Sequence, residues 1–279
     1  MTLNKKIMQD VYNNLSIQAN GIVINYDDSG IGEIPIVFIH GFPFDKSMWE
    51  PQLNYFKLNF RVISYDIRGY GKTTSDERDP DMNLFADDLI AFLDALHIDK
   101  AIVCGLSMGG YILLNALDRY PEKIFAVILS DTQCIGDSAE TKEKRTKSIA
   151  SIEERGLTEF ASAFVKNVFF KDSYEENLKI IDKIKSVILS TSSQTVTGTL
   201  KALAERKDMC FSLREILVPA LILVGEEDTI TPLTESQRMK DNIPGSKLFI
   251  IPKAGHMSNL DQPELFNEYL NNFLSEILI

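Results

Sequence analysis

Short apolar runs alternate along this chain with stretches whose apolar positions recur at helical spacing, and that alternation predicts a mostly parallel sheet covered by helices on both faces. The runs at 36–39, 61–65, 101–105, 126–130, 220–224 and 247–251 are the expected core strands. Ahead of them, 16–26 carries Asn20-Gly21 between β-rich segments, a pair that tolerates the positive backbone angles of a tight hairpin, so an antiparallel edge is expected there. Helices are expected at 82–96, 111–120, 233–242 and 263–278, the last opening on a proline in its first turn.

The alternation breaks between about 132 and 213. Charge rises there, and helical patterns at 139–154, 157–169, 174–189 and 193–206 follow one another with no strand between them. The chain therefore divides into an α/β core, 1–131 and 214–279, and a helical insertion, 132–213. There is no internal repeat and no low-complexity segment.

With 279 residues, 44% of them hydrophobic, the chain can bury a sizeable core. A net charge of -11 opposes binding to a phosphate backbone, so no nucleic-acid partner is expected. The cysteines, Cys104, Cys134 and Cys210, are odd in number and form no C-x-x-C pair; no disulfide framework is expected, and a reducing cytoplasm suits them. Residues 1–18 contain Lys5, Lys6 and Asp10 but no unbroken apolar stretch, and no segment approaches the length of a membrane span, so neither export nor anchoring is expected. Without a His/Cys ligand cluster or a phosphate-binding glycine loop, no metal or cofactor is expected.

The most informative stretch is Gly105-Leu106-Ser107-Met108-Gly109, a serine between two glycines where an apolar strand gives way to a helix. Such a serine must adopt a strained turn that pushes its hydroxyl outward, and the glycines let strand and helix pack closely enough to permit it. Four further motifs accompany it: His40-Gly41-Phe42, the run Asp66-Ile67-Arg68-Gly69-Tyr70-Gly71, Gly225-Glu226-Glu227-Asp228, and Gly255-His256. In this order, from about residue 22 to 273, they resemble the α/β-hydrolase family. The resemblance implies an α/β-hydrolase fold with a helical cap inserted after the strand that follows the nucleophile helix. It makes 132–213 a lid rather than a surface excursion, because the insertion leaves from the edge where open α/β folds bind ligands.

A serine hydroxyl is a weak nucleophile at neutral pH and needs a neighbouring base, most often histidine. Of three histidines, His97 sits near a helix end, and His40 falls in what resembles the family's oxyanion loop, where it would hold the loop's shape. His256, after the last strand, remains as the base, in the family order serine, acid, histidine. Asp228 stands where the family's acid usually does; Asp131 is the alternative, since some relatives carry the acid one strand earlier. Glu226 and Glu227 read as solvated loop charges, Asp66 and Arg68 as braces of the family's turn, and Cys104 as a core residue. The amides of Met108 and Phe42 are the expected oxyanion donors, with Phe42, Phe44, Met48 and Trp49 as candidate lining of an acyl pocket.

The resemblance is strongest to carboxylesterases and to enol-lactonases of the oxoadipate type. It implies a serine hydrolase cleaving a small carboxylic ester, or a lactone, with water as second substrate. His40-Gly41-Phe42-Pro43 and Met48-Trp49-Glu50 also resemble arylesterases with cofactor-free perhydrolase activity. Ser107 argues against dehalogenases and epoxide hydrolases, whose nucleophile here is aspartate; carbon–carbon hydrolases share the serine. A ligand-binding, receptor-like protein that keeps the fold without turnover is the alternative of another class.

Overall fold

The computed structural model describes residues 12–30 and 32–278. Residues 1–11, part of the segment behind the expectation of no export, lie outside the described residues. The chain opens with the hairpin β1 (Tyr12–Ala19) and β2 (Ile22–Asp28), then runs β3 (Ile36–Ile39), α1 (Glu50–Phe56), β4 (Val62–Tyr65), α2 (Met82–Ala95), β5 (Ala101–Leu106), α3 (Met108–Arg119) and β6 (Ile124–Ser130). The helices α4 (Ala139–Arg155), α5 (Thr158–Val168), α6 (Ser173–Glu176), α7 (Leu178–Ser190) and α8 (Ser193–Glu205) come next. Then follow β7 (Ala220–Gly225), α9 (Leu233–Asn242), β8 (Lys247–Ile251), α10 (Ser258–Asp261) and α11 (Pro263–Ile277). The strands form one eight-stranded sheet in the order β1-β2-β4-β3-β5-β6-β7-β8. β1 and β2 are antiparallel to each other and β2 to β4, while every pairing from β4 to β8 is parallel.

Strand alternation sorts the core into two layers. Val37, Ile39, Val103, Val127, Leu129 and Ile222 face one side, under α2, α3 and α9. Ile36, Phe38, Ile102, Cys104, Ile128, Leu221 and Leu223 face the other, under α1 and α11. Both faces of these strands are buried, which is why they read as unbroken apolar runs rather than as alternating ones. The helices between β6 and β7 extend the layers instead of forming a core of their own. Ile152, Val196, Leu200 and Leu203 join the first, and Ala161, Val165, Ile181, Ile184 and Ile188 the second.

Helix starts follow local chemistry. The Asp81 carboxylate accepts the Leu84 amide (2.7 Å) at α2, and the Ser192 hydroxyl accepts the Thr195 amide (3.0 Å) at α8, each satisfying a donor that the first turn leaves free. The short helices α1 and α10 are too brief to show periodicity in the sequence, and the helix expected at 174–189 is split at Asn177 into α6 and α7. α3 begins at Met108 rather than 111, because the poor helix formers Gly109 and Gly110 are required there for close packing. Among the described residues, no helix is long and apolar enough to cross a membrane.

The cysteines correct one expectation: Cys134 and Cys210 form a disulfide, leaving Cys104 free and buried. Cys134 lies just after β6 and Cys210 shortly after α8, so the bond ties the two ends of the helical excursion, and the Met209 amide donates to the Cys134 carbonyl beside it (2.8 Å). Their separation of 76 residues hides the pair from any local motif, and the cysteines no longer argue for a reducing compartment. Closing so long a loop restricts the unfolded chain, so reducing the bond is expected to lower stability by about 2–4 kcal/mol. Urea unfolding with and without reductant, compared with the Cys134→Ser/Cys210→Ser double variant, checks this.

Candidate active site

Because β5, β7 and β8 are parallel, the loops after them leave the sheet at the same edge. Ser107 follows β5 directly, and its backbone sits at φ 54°, ψ -115°, a left-handed conformation that non-glycine residues avoid. The geometry around it explains the strain. A Cβ on Gly105 would lie 2.3 Å from the Gly109 carbonyl oxygen, and one on Gly109 would lie 2.4 Å from that of Ile39, so strand and helix cross at a distance only glycine allows. The turn is locked by the Ser107 amide donating to Ser130 (3.0 Å) and by the Thr132 hydroxyl donating to the Ser107 carbonyl (2.8 Å).

Asp228 and His256 come from the loops after β7 and β8 and meet through His256 Nδ1 and Asp228 Oδ2 at 2.8 Å. The carboxylate is otherwise held by its own loop: Oδ1 accepts the amides of Ile230 (2.8 Å) and Thr231 (3.0 Å), and Oδ2 accepts the Thr231 hydroxyl (2.6 Å). Burial alone would push the Asp228 carboxyl up, but the facing His256 charge and the hydrogen bonds from His256 and Thr231 hold it below its ordinary range. Burial alone would likewise pull His256 down; the Asp228 carboxylate, with Asp131 beyond it, raises it instead. Each partner therefore favours the charged form of the other.

The other two histidines have different surroundings. His40 is fully buried; its Nε2 accepts the Ile67 amide (2.9 Å), so the proton sits on Nδ1 and is donated to the Gly41 carbonyl (2.9 Å). Burial lowers its pKa and keeps it neutral, a brace between two loops. His97 is exposed just beyond the end of α2. Neither pairs with a carboxylate among the described residues.

Gly41 lies against the serine: a Cβ there would come within 3.4 Å of the Ser107 Cβ. The Phe42 amide follows it, the Met108 amide opens α3, and neither donates to a protein acceptor among the described residues. Phe42 meets the rings of Phe160 (6.2 Å) and Phe164 (5.9 Å) from α5, and Phe44 meets Phe164 (5.9 Å). Met48 accepts the Gly41 amide on its sulfur (3.4 Å), whereas Trp49 packs between Phe38 and Phe266 in the second core layer. Phe160 and Phe164 are invisible as site residues in the sequence, where they read as one face of an ordinary amphipathic helix.

Glu226 and Glu227 are exposed. Asp66 accepts the amides of Lys46 and Lys72 (both 2.9 Å) and pairs with the Lys46 ammonium; Arg68 grips Asp88 through two nitrogens (2.7 and 2.6 Å). Both brace the turn, through separate partners. Burial pushes the Cys104 thiol well up, which keeps it inert. Thr231, which clamps the acid, escaped sequence reasoning because its local stretch does not say which hydroxyl folds back.

A strained serine and a carboxylate–histidine pair thus stand in loops at the same edge of this sheet. The chain belongs to the α/β-hydrolase fold family, whose model matches residues 34–263. It is similar to 3-oxoadipate enol-lactonase 2 of Acinetobacter baylyi, 29% identical over 253 residues, 90% of this chain and 93% of that one. Among solved structures it resembles a thermophilic esterase from Thermogutta terrifontis, at 31% identity and TM-score 0.90 over 95% of this chain and 99% of that one. It also resembles the enol-lactonase of Burkholderia xenovorans, at 25% identity and TM-score 0.87 over 94% of this chain and 100% of that one.

The close crossing makes Gly109→Ala a direct probe of this architecture. Its Cβ meets backbone that cannot rotate aside, so a loss of about 1–3 kcal/mol is expected in urea unfolding.

Proposed function

We propose that this protein is a carboxylic ester hydrolase working through an acyl-enzyme, with Ser107 as nucleophile, His256 as general base and acid, and Asp228 orienting the imidazole. The observation that carries the reading is the His256–Asp228 hydrogen bond, which occupies Nδ1 and leaves Nε2 free to take a proton. Ser107 Oγ gives its proton to Nε2 and adds to the ester carbonyl carbon. The negative oxygen that results accepts the amides of Phe42 and Met108, which are already fixed in place and need no reorganisation. His256 then returns the proton to the leaving oxygen as the acyl carbon–oxygen bond breaks, releasing the alcohol. Water, deprotonated by the same imidazole, attacks the acyl-enzyme, and Ser107 departs with the proton as the acid is released.

The excursion between β6 and β7 serves as the cap. Its Phe160 and Phe164, set against Phe42 and Phe44, form an apolar wall suited to the acyl side of a small substrate. A lactone is the second reading, favoured by the enol-lactonases among the similar proteins. It needs no new chemistry, because ring opening is the same acyl transfer with the leaving oxygen still tethered.

Wild-type protein is expected to release p-nitrophenol from a short-chain ester, and Ser107→Ala to lose roughly a thousandfold or more in kcat. Saturable binding of the ester with no turnover overturns the reading in favour of a receptor. Hydrolysis of an enol-lactone with kcat/KM well above that of the ester selects the second reading.

The pH dependence has a definite sign. His256 must be neutral to accept the serine proton, and its pKa is raised by Asp228, so activity falls as pH drops through that raised value. The acidic limb of kcat/KM is expected above the ordinary histidine value of about 6.5, and a pH–rate series checks it.

A further inference from the structure

A second carboxylate lies behind the acid–histidine pair. Asp131 follows β6 directly, is fully buried, and holds a left-handed backbone at φ 43°. Aspartate tolerates that conformation better than most residues, yet it is unusual enough to need outside support. Here the support comes from neighbouring strand ends. The Asp131 amide donates to the Leu223 carbonyl of β7 (2.8 Å), and its Oδ1 accepts the amide of Gly225 (2.8 Å), the last residue of that strand. Its Oδ2 accepts the hydroxyls of Ser130 (2.7 Å) and of Ser258, two residues beyond His256.

One side chain thus ties down the roots of two loops, the one carrying the acid and the one carrying the base. Gly225 sits three residues before Asp228, and a Cβ there would lie 2.1 Å from the Gly255 carbonyl oxygen, so the loops are pressed together where Asp131 grips them. We infer that Asp131 is a positioning residue, setting the geometry of the Asp228–His256 pair through the Gly225 amide and the Ser258 hydroxyl and tuning the pair through its charge. The inference rests on the triad reading above.

The charged and titratable groups facing Asp131 are Asp228 from the loop after β7, His256 from the loop after β8, and the Cys104 thiol from β5. Burial, and then the Asp228 carboxylate, push the Asp131 carboxyl up to about 7, against the His256 charge and the Ser258 and Gly225 hydrogen bonds. Above that pH it is a full acceptor for all three donors. Below it, the carboxyl holds a proton, one donor must yield, and the negative charge that supports imidazolium is lost.

Ser258→Ala removes the tether and keeps the charge; Asp131→Asn keeps the shape and removes the charge. Both are assayed on a short-chain p-nitrophenyl ester across pH, with folding followed by thermal melting. A fall in kcat of roughly ten- to a hundredfold with KM unchanged is expected in each, the penalty of a slightly misplaced catalytic pair. Asp131→Asn alone is also expected to carry the acidic limb of kcat/KM to lower pH, because a negative neighbour no longer raises His256. A purely structural role does not move that limb. Wild-type kcat and an unmoved limb in both variants overturn the inference and leave the triad standing. Abolished turnover in Asp131→Asn alongside an active Asp228→Asn overturns the triad reading instead, by making Asp131 the acid. If Asp131→Asn does not fold, Ser258→Ala decides: a lower kcat at unchanged KM supports the inference, and unchanged kcat overturns it.

Discussion

At the end of β5 the backbone of a strand, a helix and a neighbouring strand come so close that no Cβ fits between them. A side chain on Gly105, Gly109 or Gly110 would collide with the Gly109 carbonyl, the Ile39 carbonyl or the Thr132 side chain. This crowding turns the chain within one residue and accompanies the left-handed conformation of Ser107, directly before the first residue of α3. Strain of this kind amounts to about 1–3 kcal/mol and survives only where the surroundings over-determine it. Ser130 and Thr132 supply that support from the adjacent strand end.

The site is built of buried charge in a chain that carries an excess of negative charge. Asp131 and Asp228 have the same side chain, similar burial and three or more hydrogen bonds each, yet they are pushed in opposite directions. The difference is what each one faces. Asp228 looks at an imidazole that takes a positive charge, whereas Asp131 looks at Asp228. Surroundings this different favour the charged form of Asp228 and the protonated form of Asp131, so two chemically identical groups respond differently.

The helical excursion also reaches into this network. The Met257 amide donates to the Val168 carbonyl at the end of α5 (2.9 Å), and the Asp261 carboxylate accepts the amides of both Gly255 (2.8 Å) and Phe170 (2.9 Å). The loop that carries His256 is therefore stitched to the end of the same helix that presents Phe160 and Phe164 to Phe42. Displacing α5 disturbs the His256 loop as well as the rings packed on Phe42 and Phe44. The Cys134–Cys210 bond holds the two stems of the excursion together and limits how far they can part.

Strand positions, the hairpin, most of the long helices and the strand-to-helix turn at Ser107 are legible in the chain itself, because burial on both faces, turn chemistry and the G-x-S-x-G spacing are local properties written over a few adjacent residues; Asp228 and His256 are named as candidates only through motif order. The contact between Asp228 and His256 was an expectation from motif order, and folding made it a hydrogen bond by setting parallel strands side by side. The disulfide, the Thr231 clamp, the grip of Asp131 on two loops and the ring contacts of Phe160 and Phe164 carry no local signature. Each joins groups that meet through a turn or through strands and helices far apart in the chain, and a one-dimensional pattern holds no information about which of many polar or aromatic side chains will be pressed together. Even the number of cysteines misled, since oddness says nothing of whether two of the three lie at adjacent ends of an excursion that closes on itself.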